Sequence, residues 1–112
     1  MNLIEHFING KTFSGKSKKR GKIFNPATGE QNSEVVLAAS EDVIEAVNAA
    51  KKAFVKWSET PPLQRARIMF KYKELIEKNQ DELAKIIVSE HGKVYEDAKG
   101  SLIRGLEVVE YA

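Results

Sequence analysis

Residues 90–112 restrict the possible folds more than any other stretch of the chain. Gly92 suits the left-handed residue that stops a helix, and a new helix is predicted from about Tyr95. Ala98, Leu102, Leu106 and Val109 recur at three- or four-residue spacing and therefore share one face. Gly100 and Gly105 sit inside the same helix. Each costs roughly 1 kcal/mol against alanine, so about 2 kcal/mol of helicity must come from packing. No Gly, Asn or Pro closes the helix, and Glu107 and Glu110 crowd the negative end of its dipole. The stretch reads as a helix cut partway in a chain meant to continue. Arg104 lies off the apolar stripe, in a row with Ser101, Val108 and Tyr111.

A chain of 112 residues fits one small domain. Its 42% hydrophobic and 30% charged residues are ordinary for a soluble protein. There is no apolar run of roughly 18 residues, as a membrane span would require. The first residues lack a basic segment followed by an apolar core, so no secretion signal is expected. With no cysteine, disulfides, thiolate metal sites and a cysteine nucleophile are all excluded from this chain. A cytoplasmic location is the expectation. Basic residues concentrate in one loop, at Lys16, Lys18, Lys19 and Arg20. Such a cluster can touch nucleic acid, but no aromatics interleave for base stacking, and a solvated hairpin loop is favoured.

The fold class expected is α+β, a small antiparallel three-stranded hairpin unit over residues 1–39 followed by about four helices over residues 40–112. A strand over 6–13 bends at Asn9-Gly10, a pair suited to a two-residue hairpin turn. Strands over 22–25 and 34–38 flank the tight turn Asn25-Pro26-Ala27-Thr28-Gly29. Ser40 is the expected N-cap of the first helix, with Glu41 and Asp42 at its positive dipole end. Val43, Val47, Ala50, Phe54 and Trp57 form its apolar stripe, and Trp57 reads as a core anchor rather than a ligand-stacking residue. Thr60 caps the second helix with Pro61 at its first position. Leu63, Ala66, Met69 or Phe70, Lys73 and Ile76 roughly follow one helical face, and Glu74 with Lys78 makes an i,i+4 pair. Asn79, with Glu82 three residues on, fits a capping pattern for the third helix.

Little catalytic chemistry is present. His6 and His91 are far apart, and no Asp/Glu/His spacing suggests a metal site. There is neither a glycine-rich phosphate loop nor a nucleophile elbow. Adjacent acids such as Glu41-Asp42 and Asp81-Glu82 sit at helix starts and read as capping charges. Arg104 is the one candidate site residue. It either makes a surface pair with Glu107 or Asp97, contributing ~0–1 kcal/mol, or aims its guanidinium at a substrate carboxylate, where a charged bond contributes ~1.5–3 kcal/mol. The residues alone favour the first.

The ordered motifs add a resemblance. Phe7-Ile8-Asn9-Gly10-Lys11, Phe24-Asn25-Pro26-Ala27-Thr28-Gly29-Glu30, Ala53-Phe54-x-x-Trp57-Ser58 and Arg65-Ala66-Arg67 resemble the start of an NAD(P)-dependent aldehyde dehydrogenase. So does Glu90-x-Gly92-Lys93 followed by Glu96-Asp97-Ala98. The stretch Asp97-Ala98-x-Gly100-x-x-x-Arg104-Gly105-Leu106-x-Val108-Val109-Glu110-x-Ala112 is most similar to the methylmalonate-semialdehyde dehydrogenase branch. That resemblance implies a parent that oxidises malonate or methylmalonate semialdehyde with NAD and coenzyme A, giving acetyl- or propionyl-CoA. It implies that this segment packs around the NAD-binding domain, with the catalytic cysteine, base glutamate, oxyanion-hole asparagine and dinucleotide loop lying downstream. It places Arg104 near the substrate tunnel, suited to the semialdehyde carboxylate, and so moves the weight toward the second reading of that residue. It gives the two helix glycines a reason, close backbone approach along a channel. The chain alone is then expected to bind no NAD or coenzyme A, to be inactive, and to partner the remainder of the parent fold in a homo-oligomer. Nucleic acid and membrane are not expected partners. The rival readings are a non-catalytic helical interaction module that self-associates, and a segment of a different aldehyde dehydrogenase subfamily.

Overall fold

The computed structural model describes residues 2–112. Its elements run as five short strands followed by four helices: β1 (Asn2–Ile4), β2 (His6–Ile8), β3 (Lys11–Phe13), β4 (Arg20–Phe24), β5 (Gln31–Val36), α1 (Ser40–Glu59), α2 (Pro62–Lys78), α3 (Gln80–His91) and α4 (Tyr95–Tyr111). The α+β class and the four helices are as expected. Two compact units divide the chain. One holds the residues up to Phe24 together with Gly29–Glu59, the other Asn25–Thr28 with Thr60–Ala112. The units thus do not follow the change from strand to helix at residues 39–40: α1 belongs with the strands.

In the first unit, β2 and β3 pair antiparallel with His6 opposite Phe13. Asn9 and Gly10 both take positive φ, 53° and 76°, the twist a two-residue hairpin turn needs. This hairpin is a sheet of its own. The three-stranded sheet has the order β1-β5-β4, with β4 antiparallel and β1 parallel to β5. The expected all-antiparallel sheet is therefore replaced by a mixed one. The reason is that β1 is only three residues long, too short for any periodicity to show, and its parallel partner lies far along the chain. Between β4 and β5 the register passes from Ile23–Ser33 to Phe24–Gln31, leaving Asn32 unmatched as a bulge.

Helix α1 starts differently from the capping expectation. Ala39, not Ser40, is the cap: its carbonyl accepts from the Asp42 and Val43 amides at 3.1 and 3.3 Å. Asp42 reciprocates, its Oδ2 accepting the Ala39 amide at 2.8 Å. Its Oδ1 accepts the Lys16 amide at 2.9 Å. Asp42 is 1% exposed and ties the basic loop to the helix start. Gly15 makes this possible, since its φ is +73° and a Cβ there would stand 2.7 Å from Asp42 Oδ2. Ala39 and Lys16, donating to the carboxylate, hold its pKa below 3.8 against the opposing effect of burial. The predicted apolar stripe is present but uncovered: Phe54 is 63% and Trp57 39% exposed. Trp57 is thus no core anchor within this chain. Periodicity shows that a face is apolar and does not show what covers it.

In the second unit α4 packs against both α2 and α3. The predicted stripe of α4 holds, with Ala98 and Leu106 buried and Leu102 and Val109 half-buried. Ala84 of α3 and Ala98 are fully buried, and side chains this small let helix axes approach closely. On α2 the half-buried face runs Ala66, Met69, Lys73, Ile76, while Leu63 and Phe70 are exposed. Lys73 sits on that face because its ammonium pairs with Glu77 at 2.7 Å and with Glu110 of α4 at 3.2 Å. These bonds raise its pKa above 10.5. Glu74 pairs with Lys71 at 2.9 Å instead of with Lys78. The Tyr95 hydroxyl donates to Asp81, linking α3 to α4.

Two caps are corrected as well. The cap of α2 is Pro61, with Pro62 in the first turn, one residue later than expected. Asn79 makes no side-chain cap for α3, because its amide turns back to donate to the Leu75 carbonyl at 2.7 Å. Gly92 does stop α3, at φ +79°, with its N–H on the Val88 carbonyl at 2.8 Å. The Pro26 ring lies against it, so that a Cβ on Gly92 would meet Pro26 Cγ at 2.8 Å. The turn carrying Pro26 is held by the Asn25 side chain, which accepts the Ala27 amide at 2.9 Å.

Candidate functional site

Arg104 is positioned by the regular stretch of α4, which begins at Tyr95 without a side-chain cap. It is exposed and takes neither of the acids considered for it. Among the described residues no carboxylate pairs with it. Its Nη2 instead donates to Ser101 Oγ, one turn back on the same row, at 3.3 Å. Lys93, in the link between α3 and α4, donates to the same oxygen at 3.0 Å. The Ser101 hydroxyl in turn donates to the Asp97 carbonyl at 3.2 Å. Two cations thus converge on one neutral hydroxyl.

A guanidinium with most of its donors unused is suited to a carboxylate or another planar anion. Gly100, one turn from Arg104, keeps that flank slim: an added Cβ would stand 3.6 Å from Nη1, an ordinary contact. Around Gly105 nothing lies within 4 Å of where a Cβ would go. Among the described residues no backbone atom of another element lies within 4 Å of where a Cβ would go at either helix glycine. Sequence reasoning placed Ser101 on the row of Arg104 but gave it no role, and it missed Lys93. The signal available was a lysine just ahead of a helix, long enough to reach along its first turns.

Other features offer less. No group of His, Asp and Glu among the described residues could hold a metal. A hollow of about 250 Å³ in the first unit is lined by His6, Ile8, Asp42, Val43 and Ala46 among others, and His6 Nε2 is buried without a partner. No strand-to-helix turn is glycine-rich: Gly10, Gly15, Gly29 and Gly92 serve as positive-φ turn residues, and Gly100 and Gly105 are helical. No helix among the described residues is long and apolar enough to cross a membrane.

The mixed sheet and the four helices match one class of protein. Residues 13–112 match the aldehyde dehydrogenase family, and the chain belongs to it. Within that family it is similar to malonate-semialdehyde dehydrogenase 2 of Bacillus cereus, 44% identical over 98% of this chain and 22% of the relative. Among solved structures, the methylmalonate-semialdehyde dehydrogenase of Oceanimonas doudoroffii superposes with a TM-score of 0.95 at 47% identity, over 99% of this chain and 22% of that one. A structure from Sinorhizobium meliloti 1021, assigned to the same enzyme type and complexed with NAD, gives a TM-score of 0.97 at 47% identity over 99% and 23%. The chain spans about a fifth of the length of the relatives it matches.

Proposed function

We propose that this chain is a scaffold segment of a semialdehyde dehydrogenase, and that Arg104 meets the carboxylate of a malonate- or methylmalonate-semialdehyde substrate. The parent oxidises the aldehyde with NAD, sheds the substrate carboxylate as carbon dioxide, and releases an acetyl- or propionyl-CoA. The chemistry is thiolate attack and hydride transfer carried out by residues outside this sequence. The chain on its own binds no NAD or coenzyme A and forms no product, and it works in the cytoplasm as part of a homo-oligomer. The observation that supports the reading most is the unpaired Arg104 guanidinium beside Ser101, on a helix that also carries the branch's motif.

The test uses the parent enzyme. Arg104→Ala weakens turnover of carboxylate-bearing semialdehydes far more than of plain aliphatic aldehydes. Equal losses on both would return Arg104 to a structural role. NADH formation by the 112-residue chain alone would contradict its assignment as a non-catalytic segment.

The exposed apolar row of α1, with Val43, Val47, Phe54 and Trp57, favours a second reading, in which the chain self-associates. Sedimentation at several concentrations decides it; a strictly monomeric chain would count against association.

A further inference from the structure

We propose that Lys93, Ser101 and Arg104 act as one carboxylate-binding fork, in which Lys93 supplies a second charge and Ser101 is the positioning residue for both cations. This rests on reading Arg104 as a carboxylate contact. A serine hydroxyl has one proton to donate and two lone pairs to accept with. Here the proton goes to the Asp97 carbonyl at 3.2 Å. The lone pairs receive Lys93 Nζ at 3.0 Å and Arg104 Nη2 at 3.3 Å. Because the proton is turned inward to the helix backbone, both acceptor directions face the cations.

No acid among the described residues neutralises either cation. Two like charges brought onto one oxygen repel each other, and an arriving anion relieves that repulsion. The ammonium has two further protons to offer, and the guanidinium has four. The ligand class that fits is a small carboxylate, taken bidentately by Arg104 with Lys93 on its second oxygen or on a neighbouring one. Arg104 alone would accept any carboxylate. Adding Lys93 favours a compact ligand that can be held between the two.

The experiment titrates malonate into the 112-residue chain at low salt, following the Arg104 side-chain and backbone amide signals by NMR, with propionamide as the uncharged control. Malonate binds and propionamide does not, and added salt weakens binding. Lys93→Gln weakens malonate binding on the order of tenfold, as loss of a charge-assisted contact does, while Lys93→Arg retains it. Ser101→Ala weakens binding severalfold, and Ser101→Thr, which keeps the hydroxyl, restores it. Circular dichroism verifies that each variant is folded. If Arg104→Ala abolishes binding while Lys93→Gln and Ser101→Ala leave it unchanged, the fork is wrong and the Arg104 reading survives. If no variant changes binding, or malonate does not bind, both fail.

Discussion

Replacing Gly92 by alanine tests how the second unit is closed. Two separate penalties act at this position. The first is conformational: φ is +79°, and an L-residue held in the left-handed region costs roughly 1–2 kcal/mol. The second is steric: the new Cβ would stand 2.8 Å from Pro26 Cγ and 3.3 Å from its Cβ, against an optimum of about 3.5–4.0 Å between carbons. The proline ring is rigid, so the backbone must move, and overpacking of that kind costs about 1–3 kcal/mol. Gly92→Ala therefore destabilises by about 2–5 kcal/mol in all. Gly29→Ala is the control, because φ there is +73° and nothing lies within 4 Å of an added Cβ. It costs only the conformational part, about 1–2 kcal/mol. Urea denaturation followed by helical circular dichroism measures both, read as a shift in midpoint at unchanged slope. Pro26→Ala introduced beside Gly92→Ala removes most of the excess, a coupling that a double-mutant cycle isolates. The reasoning is refuted if Gly92→Ala costs no more than Gly29→Ala, or if the Pro26 change fails to narrow the gap.

Three further predictions concern helicity and pH. Gly105→Ala stabilises the chain by about 1 kcal/mol, since the added methyl meets nothing within 4 Å; a lower urea midpoint would contradict this. Asp42 has a folded pKa below 3.8, so its contribution is whole above pH 3.8 and is lost as pH falls through the lower folded value. The Lys16 and Ala39 amide shifts should titrate together below pH 3.8, and Asp42→Asn should abolish that titration. Lys73 has a folded pKa above 10.5, held there first by Glu77 and then by Glu110. Its contribution is present below pH 10.5 and is lost as pH rises through the higher folded value. Glu110→Gln should move the Lys73 titration, followed by NMR at its ammonium, back toward 10.5.

Several elements are legible in the order of residues alone. The Asn9-Gly10 hairpin, the Asn25-Pro26 turn, the helix stop at Gly92 and the buried row of α4 each depend on residues that are neighbours in the chain. Turn type, positive φ and the three- to four-residue period are local properties, so composition and spacing are enough to show them. Arg104 is legible as the candidate site residue for the same reason: it stands off an apolar stripe.

What tertiary structure decided is which partner each group meets. Asp42 reads as a dipole charge and is a buried acceptor for the loop of Lys16. Asn79 reads as a cap for α3 and bonds back to α2. Lys73 reads as one position on a helical face and joins α2 to α4 through Glu110. Trp57 reads as core and stands 39% exposed. The sequence alone determined that α1 has an apolar face, that α3 must stop and that an arginine lies off the apolar stripe of α4. Only the folded chain set Lys93 and Arg104 on one hydroxyl and paired β1 in parallel with β5, because such contacts join positions between which no local period or turn preference carries information.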